Sequence, residues 1–219
     1  MLVLAYLLGS IPSAVWIGKK YYGIDIREHG SKNAGTTNML RILGRRAALP
    51  VFVLDFMKGF LAVTIMQLLH YDDIVGSNDI INLKIAALFA AVLGHIFPIF
   101  AGFRGGKGVA TLIGAVTGIV PSIALMCFGV WLIVLMISHY VSLSSMIAGC
   151  CFPIFTMFWP RTNKINLSFI VFSFVIAVLL IITHRKNIKR LVNGTESKTH
   201  IWPPKGGTET ADPSGEAQE

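Results

Sequence analysis

An all-α, polytopic integral membrane protein is the fold class this sequence predicts, and three observations predict it. Six apolar runs, at roughly 2–19, 48–69, 83–101, 109–137, 141–159 and 167–183, approach or exceed the ~20 helical residues a bilayer core requires. Only 14% of the 219 residues are charged and the mean hydropathy is +0.67, where a soluble domain carries roughly a quarter charged residues. The net charge of +8 is nearly excluded from those runs and gathers in a few loops. Loop charge of that kind calls for anionic partners, either lipid headgroups or phosphorylated substrates. With no separate soluble basic domain, nucleic acid is not an expected partner.

Taken in order, the first run starts at Leu2 with no basic region before it, so it reads as a span rather than a cleaved signal peptide. The loop at 19–47 holds Lys19, Lys20, Arg27, Lys32, Arg41, Arg45 and Arg46 against Asp25 and Glu28. The positive-inside rule makes it cytoplasmic and puts the N-terminus outside. Its part from 25 to 47 is too polar to cross and reads as a loop with short helical pieces. The second run carries Asp55 and Lys58 at i, i+3, expected to pair because a lone charge at mid-bilayer costs ~2.5–3.5 kcal/mol. The loop at 70–82, with Asp72, Asp73 and Asp79, is expected outside, and the loop with Arg104 and Lys107 inside.

The run 109–137 would reach ~43 Å as one helix. It is either one tilted helix or two short ones joined at Gly118–Pro121. Two crossings bring His184–Arg190 to the cytoplasmic side, which favours seven transmembrane helices, some short, with a cytoplasmic C-terminus. Six would turn that basic stretch outward and the loop with Arg161 and Lys164 inward. Residues 1–194 then form one bundle. The Gly/Pro/Thr/Glu-rich 195–219, with Trp202-Pro203-Pro204-Lys205-Gly206-Gly207, reads as a disordered cytoplasmic tail. Cys127, Cys150 and Cys151 lie in apolar runs without C-x-x-C spacing and read as small buried hydrophobes.

Three polar stretches fall on one predicted membrane face. Gly30-Ser31-Lys32-Asn33-Ala34-Gly35-Thr36-Thr37-Asn38-Met39-Leu40-Arg41 is dense in hydroxyls, amides and glycines and ends on an Arg suited to bidentate phosphate contacts. Gly94-His95 through Thr111 places Gly105, Gly106 and Lys107 before an apolar run, an arrangement that offers backbone N–H groups and a cation to an anion. It lacks the spacing of a nucleotide-hydrolysing P-loop. His184 and Asn187, three apart after the last run, share a helix face. Each stretch has an ordinary alternative: a capped turn, a basic interfacial anchor, a stop signal. No His/Asp/Glu cluster has metal-ligand spacing and no nucleophile elbow is present, so neither metal nor cofactor is expected.

Together the stretches resemble the acyl-phosphate-dependent glycerol-3-phosphate acyltransferase family of bacterial membranes. The matching motifs are Gly30-Ser31-x-Asn33-x-Gly35-x-Thr37-Asn38-x-x-Arg41, then Gly94-His95-x-x-Pro98-x-Phe100 with Gly105-Gly106-Lys107-Gly108-Val109-Ala110-Thr111, then His184-x-x-Asn187-Ile188-x-Arg190-Leu191 with Gly194 and Glu196. The resemblance implies acyl transfer from acyl phosphate to the 1-hydroxyl of glycerol 3-phosphate, giving lysophosphatidic acid and inorganic phosphate, the first acylation of bacterial phospholipid synthesis. It implies a multi-pass protein of the bacterial cytoplasmic (inner) membrane with its site toward the cytoplasm. A peripheral enzyme that makes acyl phosphate is a candidate partner. Ser31, Arg41, Lys107, His184 and Asn187 are expected on glycerol 3-phosphate, with Ser31, Arg41, Lys107 and His184 carrying the catalysis. Asn33, Gly35, Thr37 and Asn38 are expected around the acyl phosphate, and Gly105 and Gly106 in the substrate loop. The hydroxyl proton goes to a phosphate oxygen or to His184. A transporter of organic phosphates would need a similar site, but the polar stretches sit on one side and no internal repeat is present.

Overall fold

The structure, a computed structural model, describes residues 1–67, 77–159 and 167–199. Every regular element among them is helical: α1 (Leu2–Gly9), α2 (Ser13–Tyr22), α3 (Thr36–Thr64), α4 (Ser77–Ile96), α5 (Val109–Ile119), α6 (Pro121–Ser138), α7 (Val141–Phe158), α8 (Leu167–Thr183) and α9 (Arg185–Val192), with single 3-10 turns at Ile26–Glu28, Ile65–Gln67 and Ile99–Ala101. The first apolar run is broken at Ser10–Pro12, where Pro12 cannot donate to the ladder and keeps Ile11 out of helical geometry. Leu2–Tyr22, Thr36–Gln67, Ile80–Ala101, Pro121–Ser138 and Val141–Phe158 are each long and apolar enough to cross a membrane, and α8 with α9, bent by 57°, makes a sixth such unit.

The long run 109–137 divides where its Gly and Pro suggested. Val120 leaves helical geometry (φ −136°, ψ 86°) and Pro121 opens α6 at its first turn, where a missing N–H costs nothing. The resulting α5 has 11 residues and extends only ~16 Å. It is drawn into the bundle by contact with α3. An added Cβ at Gly59 would overlap the Thr111 carbonyl, and one at Gly114 would overlap the Phe56 carbonyl, so the two backbones touch. Small residues permit such approach where lipid offers no hydrophobic drive between helices. Gly114→Val is therefore expected to destabilise by about 1–3 kcal/mol through overpacking; thermal unfolding in detergent would register it as a lower midpoint.

α3 is two helices in one. Gly44 has φ 76° and ψ −174°, a backbone region open in practice to glycine alone, and it separates the turns carrying Arg41 from the span carrying Asp55. The segment from 25 to 47 is accordingly a loop with short helical pieces, the 3-10 turn Ile26–Glu28 and the turns from Thr36 that Gly44 ends before the span begins. The sequence reading ended the bundle at 194, and the structure moves that boundary. Glu196 is 5% exposed, and the Thr199 N–H donates to the His139 carbonyl at 2.7 Å. The chain through Thr199 is part of the packed protein because Glu196 is neutralised there by cations. The acidic loop with Asp72 and Asp73, the loop with Arg161 and Lys164, and the tail from residue 200 lie outside the described residues.

Candidate functional site

All three polar stretches meet at one end of the bundle. Asp25 and Arg27 form a bidentate pair, with Nε on Oδ1 at 2.9 Å and Nη2 on Oδ2 at 2.7 Å, and Nη1 of the same guanidinium donates to the Ala101 carbonyl at 2.7 Å. The Arg27 guanidinium holds the Asp25 carboxyl well below the usual carboxylate range. This fork fastens the segment leading into the first stretch to the second.

The second and third are joined by Lys107, whose ammonium donates to the Asn187 Oδ1. Asn187 is 4% exposed and passes the link on, its Nδ2 donating to Glu196 Oε1 at 2.7 Å. Ser142 Oγ and Arg41 Nη2 reach that same oxygen at 2.9 and 3.4 Å, and Arg190 Nε binds Oε2 at 2.6 Å. Glu196 is the hub of the site. Burial pushes its carboxyl up, but hydrogen bonds from Arg190, Asn187 and Ser142 outweigh that and hold it below its ordinary value. Sequence reading had Glu196 in the third motif and gave it no role; Ser142, on an apolar helix far along the chain, gave no signal at all.

Lys107 is a cation that its surroundings resist. Burial pushes its ammonium down to about 8; Glu196 opposes the shift, and Arg190 and Arg41 add to it. It stays protonated below that value and loses its charge as pH rises through it. His184 lies at the bend between α8 and α9 and is 2% exposed. Burial, then the Lys107 charge, lower its imidazole to about 4. Its Nδ1 lies 2.7 Å from the Leu180 carbonyl, which only accepts, so Nδ1 carries the proton and Nε2 of the neutral ring is the acceptor.

The glycines and Asn38 correct the sequence reading. Gly105 and Gly106 were expected to offer their N–H groups to a ligand. Both donate inward instead, to the Ile96 carbonyl at 3.2 Å and the His95 carbonyl at 3.1 Å. They are glycines because a Cβ on either would overlap His95 atoms. Asn38 was expected to cradle phosphate, yet it is 1% exposed and fully committed. Its Nδ2 donates to the Ile26 and His29 carbonyls, both at 3.0 Å, and its Oδ1 accepts from the Ser31 N–H at 2.9 Å. It shapes the turn that presents Ser31.

Groups remain open for an anion. Among the described residues no side chain caps the N-terminus of α3 at Gly35, so the first-turn amides of Thr36 and Thr37 are available there. Arg41 Nε and Thr36 Oγ1 are buried without a hydrogen-bond partner among the described residues. Asn33 and Ser31 are half-buried on the same turn. Lys107, Asn187 and Arg41 thus come together through Glu196, with Lys107 close enough to act on His184, whereas Ser31 reaches the group only through its turn.

The family model for glycerol-3-phosphate acyltransferase matches residues 1–194. Among curated relatives, the glycerol-3-phosphate acyltransferase of Chlorobaculum tepidum is 40% identical over 219 residues, covering 90% of this chain and 94% of that protein. That of Streptococcus pneumoniae strain Taiwan19F-14 is 43% identical over 201 residues, covering 90% and 91%. Among solved structures, the crystal structure of PlsY (YgiH), an integral membrane glycerol 3-phosphate acyltransferase, in its glycerol 3-phosphate form matches at TM-score 0.79 with 38% identity, over 91% of this chain and 94% of that one. Its lysophosphatidic acid form matches at 0.75 with 38% identity, over 90% and 92%.

Proposed function

This chain belongs to the glycerol-3-phosphate acyltransferase family, and from that membership we propose that it moves a fatty acyl group from acyl phosphate to the 1-hydroxyl of glycerol 3-phosphate. The products are lysophosphatidic acid and inorganic phosphate. The observation that carries the reading is the convergence of Arg41, Lys107, His184 and Asn187 at one end of a lipid-grade bundle. Two phosphate-bearing substrates repel, and fixed cations and N–H donors offset that repulsion while holding the reactants together.

In the proposed step the glycerol 3-phosphate hydroxyl oxygen attacks the acyl carbonyl carbon. The bond from that carbon to the bridging oxygen breaks, and phosphate leaves with the bridging oxygen. Lys107 and Arg41 hold the glycerol 3-phosphate phosphate, with Ser31 and Asn187 beside them. Asn33, Gly35, Thr37 and the open α3 amides face the acyl phosphate. His184 Nε2 accepts a hydrogen bond from the attacking hydroxyl and orients it. An imidazole held at about 4 is a poor final base near neutrality. The phosphate group, which takes a second proton near pH ~6, is the better one, so the proton leaves on inorganic phosphate. No covalent enzyme intermediate is required, because the acyl group arrives activated.

The same reading puts the protein in the bacterial cytoplasmic membrane with seven crossings, α5 being a short one, and with the site and the C-terminus on the cytoplasmic side. A peripheral enzyme would supply the acyl phosphate there. Acyl phosphate labelled with heavy oxygen in the bridging position tests the chemistry. Label in released phosphate is the expected result, and label retained in free fatty acid would refute it. The Lys107 proton sets the pH dependence. With its charge lost above about 8, KM for glycerol 3-phosphate is expected to rise between roughly pH 7 and 9, visible as a falling kcat/KM with an apparent pKa near that of Lys107.

A further inference from the structure

Asp55 and Lys58 sit one turn apart on α3, 1% and 5% exposed, and bond to none of the residues assigned to substrate. Asp55 Oδ1 accepts from Ser13 Oγ at 2.5 Å and pairs with Lys58 Nζ at 2.8 Å. Lys58 also donates at 2.9 Å to the Ile11 carbonyl, which the break between α1 and α2 has released from helical bonding. His95 lies against the same carboxylate, its Nδ1 3.7 Å from Asp55 Oδ1 and 3.1 Å from Thr111 Oγ1. The Nε2 side of the His95 ring abuts Gly106, and the His95 carbonyl accepts the Gly106 N–H. Asp55, Lys58 and His95 share the wall of a cavity of about 10 Å³ with Ala34 of the first substrate loop and Gly105 and Gly106 of the second.

A buried ion pair is a costly way to fill a membrane bundle, and apolar side chains of equal volume would be as stable. What it adds is direction. Its hydrogen bonds are satisfied in one arrangement of α1, α2, α3 and α4, and that arrangement seats the glycine loop. We propose that the Asp55–Lys58 pair is a positioning element of the acyl-transfer site: with His95 it fixes the Gly105–Gly106–Lys107 turn against the Asn33–Gly35 turn, so that the Lys107 ammonium meets the glycerol 3-phosphate phosphate. The proposal rests on the acyltransferase reading. Displacement of a binding group by ~1 Å is enough to cost up to ~100-fold in rate, so a group that only aims Lys107 has measurable leverage.

The test is the full-length double variant Asp55→Leu with Lys58→Met, purified in detergent beside the unaltered protein. Removing both charges leaves no lone buried ion, so the fold is expected to hold. The expected result is a melting temperature near that of the parent and a KM for glycerol 3-phosphate raised about tenfold. The KM for acyl phosphate stays unchanged and kcat falls by less than about threefold. Calorimetric titration with glycerol 3-phosphate alone is expected to show the same loss of affinity. Thr111→Val, nearly isosteric, loosens His95 without touching the ion pair and is expected to raise that KM about threefold. A double variant that binds glycerol 3-phosphate like the parent overturns the proposal, as does one whose loss is confined to melting temperature. If the double variant does not fold, an unchanged KM in Thr111→Val overturns it instead. A parent protein that binds glycerol 3-phosphate yet transfers no acyl group overturns the acyltransferase reading, while the calorimetric comparison still judges the pair.

Discussion

Lys107→Ala is expected to lower kcat/KM for glycerol 3-phosphate by about 100-fold or more without weakening the fold. The ammonium is buried, its proton is held down to about 8 by desolvation, and Arg41 and Arg190 repel it. Folding therefore gains nothing from keeping it charged, and its removal is expected to leave the melting temperature level or higher. A bound phosphate reverses the balance, because it supplies the counter-charge that Asn187 supplies only as a dipole. A charge-assisted contact of this kind contributes about 1.5–3 kcal/mol, and more where the partner anion is left unpaired. Steady-state kinetics beside a melting curve separates the two effects. Equal losses in both would contradict the assignment.

Glu196→Ala is expected to behave in the opposite way and to damage fold and activity together. Its carboxylate receives Arg41, Asn187 and Ser142 on one oxygen and Arg190 on the other. Removing one partner of a buried charged network typically costs about 3–5 kcal/mol, because the remaining ions have no compensation. The variant is expected to melt markedly lower and to lose turnover, since Asn187 and Arg41 are both aimed through Glu196. Inorganic phosphate at high concentration is expected to recover part of the lost melting temperature by binding the stranded cations. An unchanged melting temperature would show that Glu196 is not the hub.

The spans were readable because bilayer length and apolar composition constrain them so strongly. Gly118 and Pro121 even marked where the long run divides, whereas the break at Ser10–Pro12 inside the first run was read as part of one span. What escaped was how the backbone is spent. Gly105 and Gly106 look alike in sequence whether their amides face a ligand or a neighbouring carbonyl, and only the seating on His95 decides it. Asn38 looked like a phosphate ligand because amides suit phosphate, yet three bonds to its own turn consume it. Glu196 sat beyond the predicted end of the bundle, where acidic, glycine-rich composition suggests disorder. Its burial depends on Arg41 and Arg190, more than a hundred residues and six residues away, and no local pattern encodes the first of these. By contrast, Arg41, Lys107, His184 and Asn187, which the structure brings together, were legible as candidates because their residue types suit phosphate chemistry and because their order matches a family.

The central claim is tested most directly by incubating the purified protein with glycerol 3-phosphate and palmitoyl phosphate while measuring inorganic phosphate and lysophosphatidic acid together. The account predicts that both appear in equal amounts, only with folded protein, and that Lys107→Ala and Arg41→Ala suppress both. Folded protein that releases neither product, or that exchanges glycerol 3-phosphate for phosphate across proteoliposomes without acyl transfer, would contradict it and make the site one of transport.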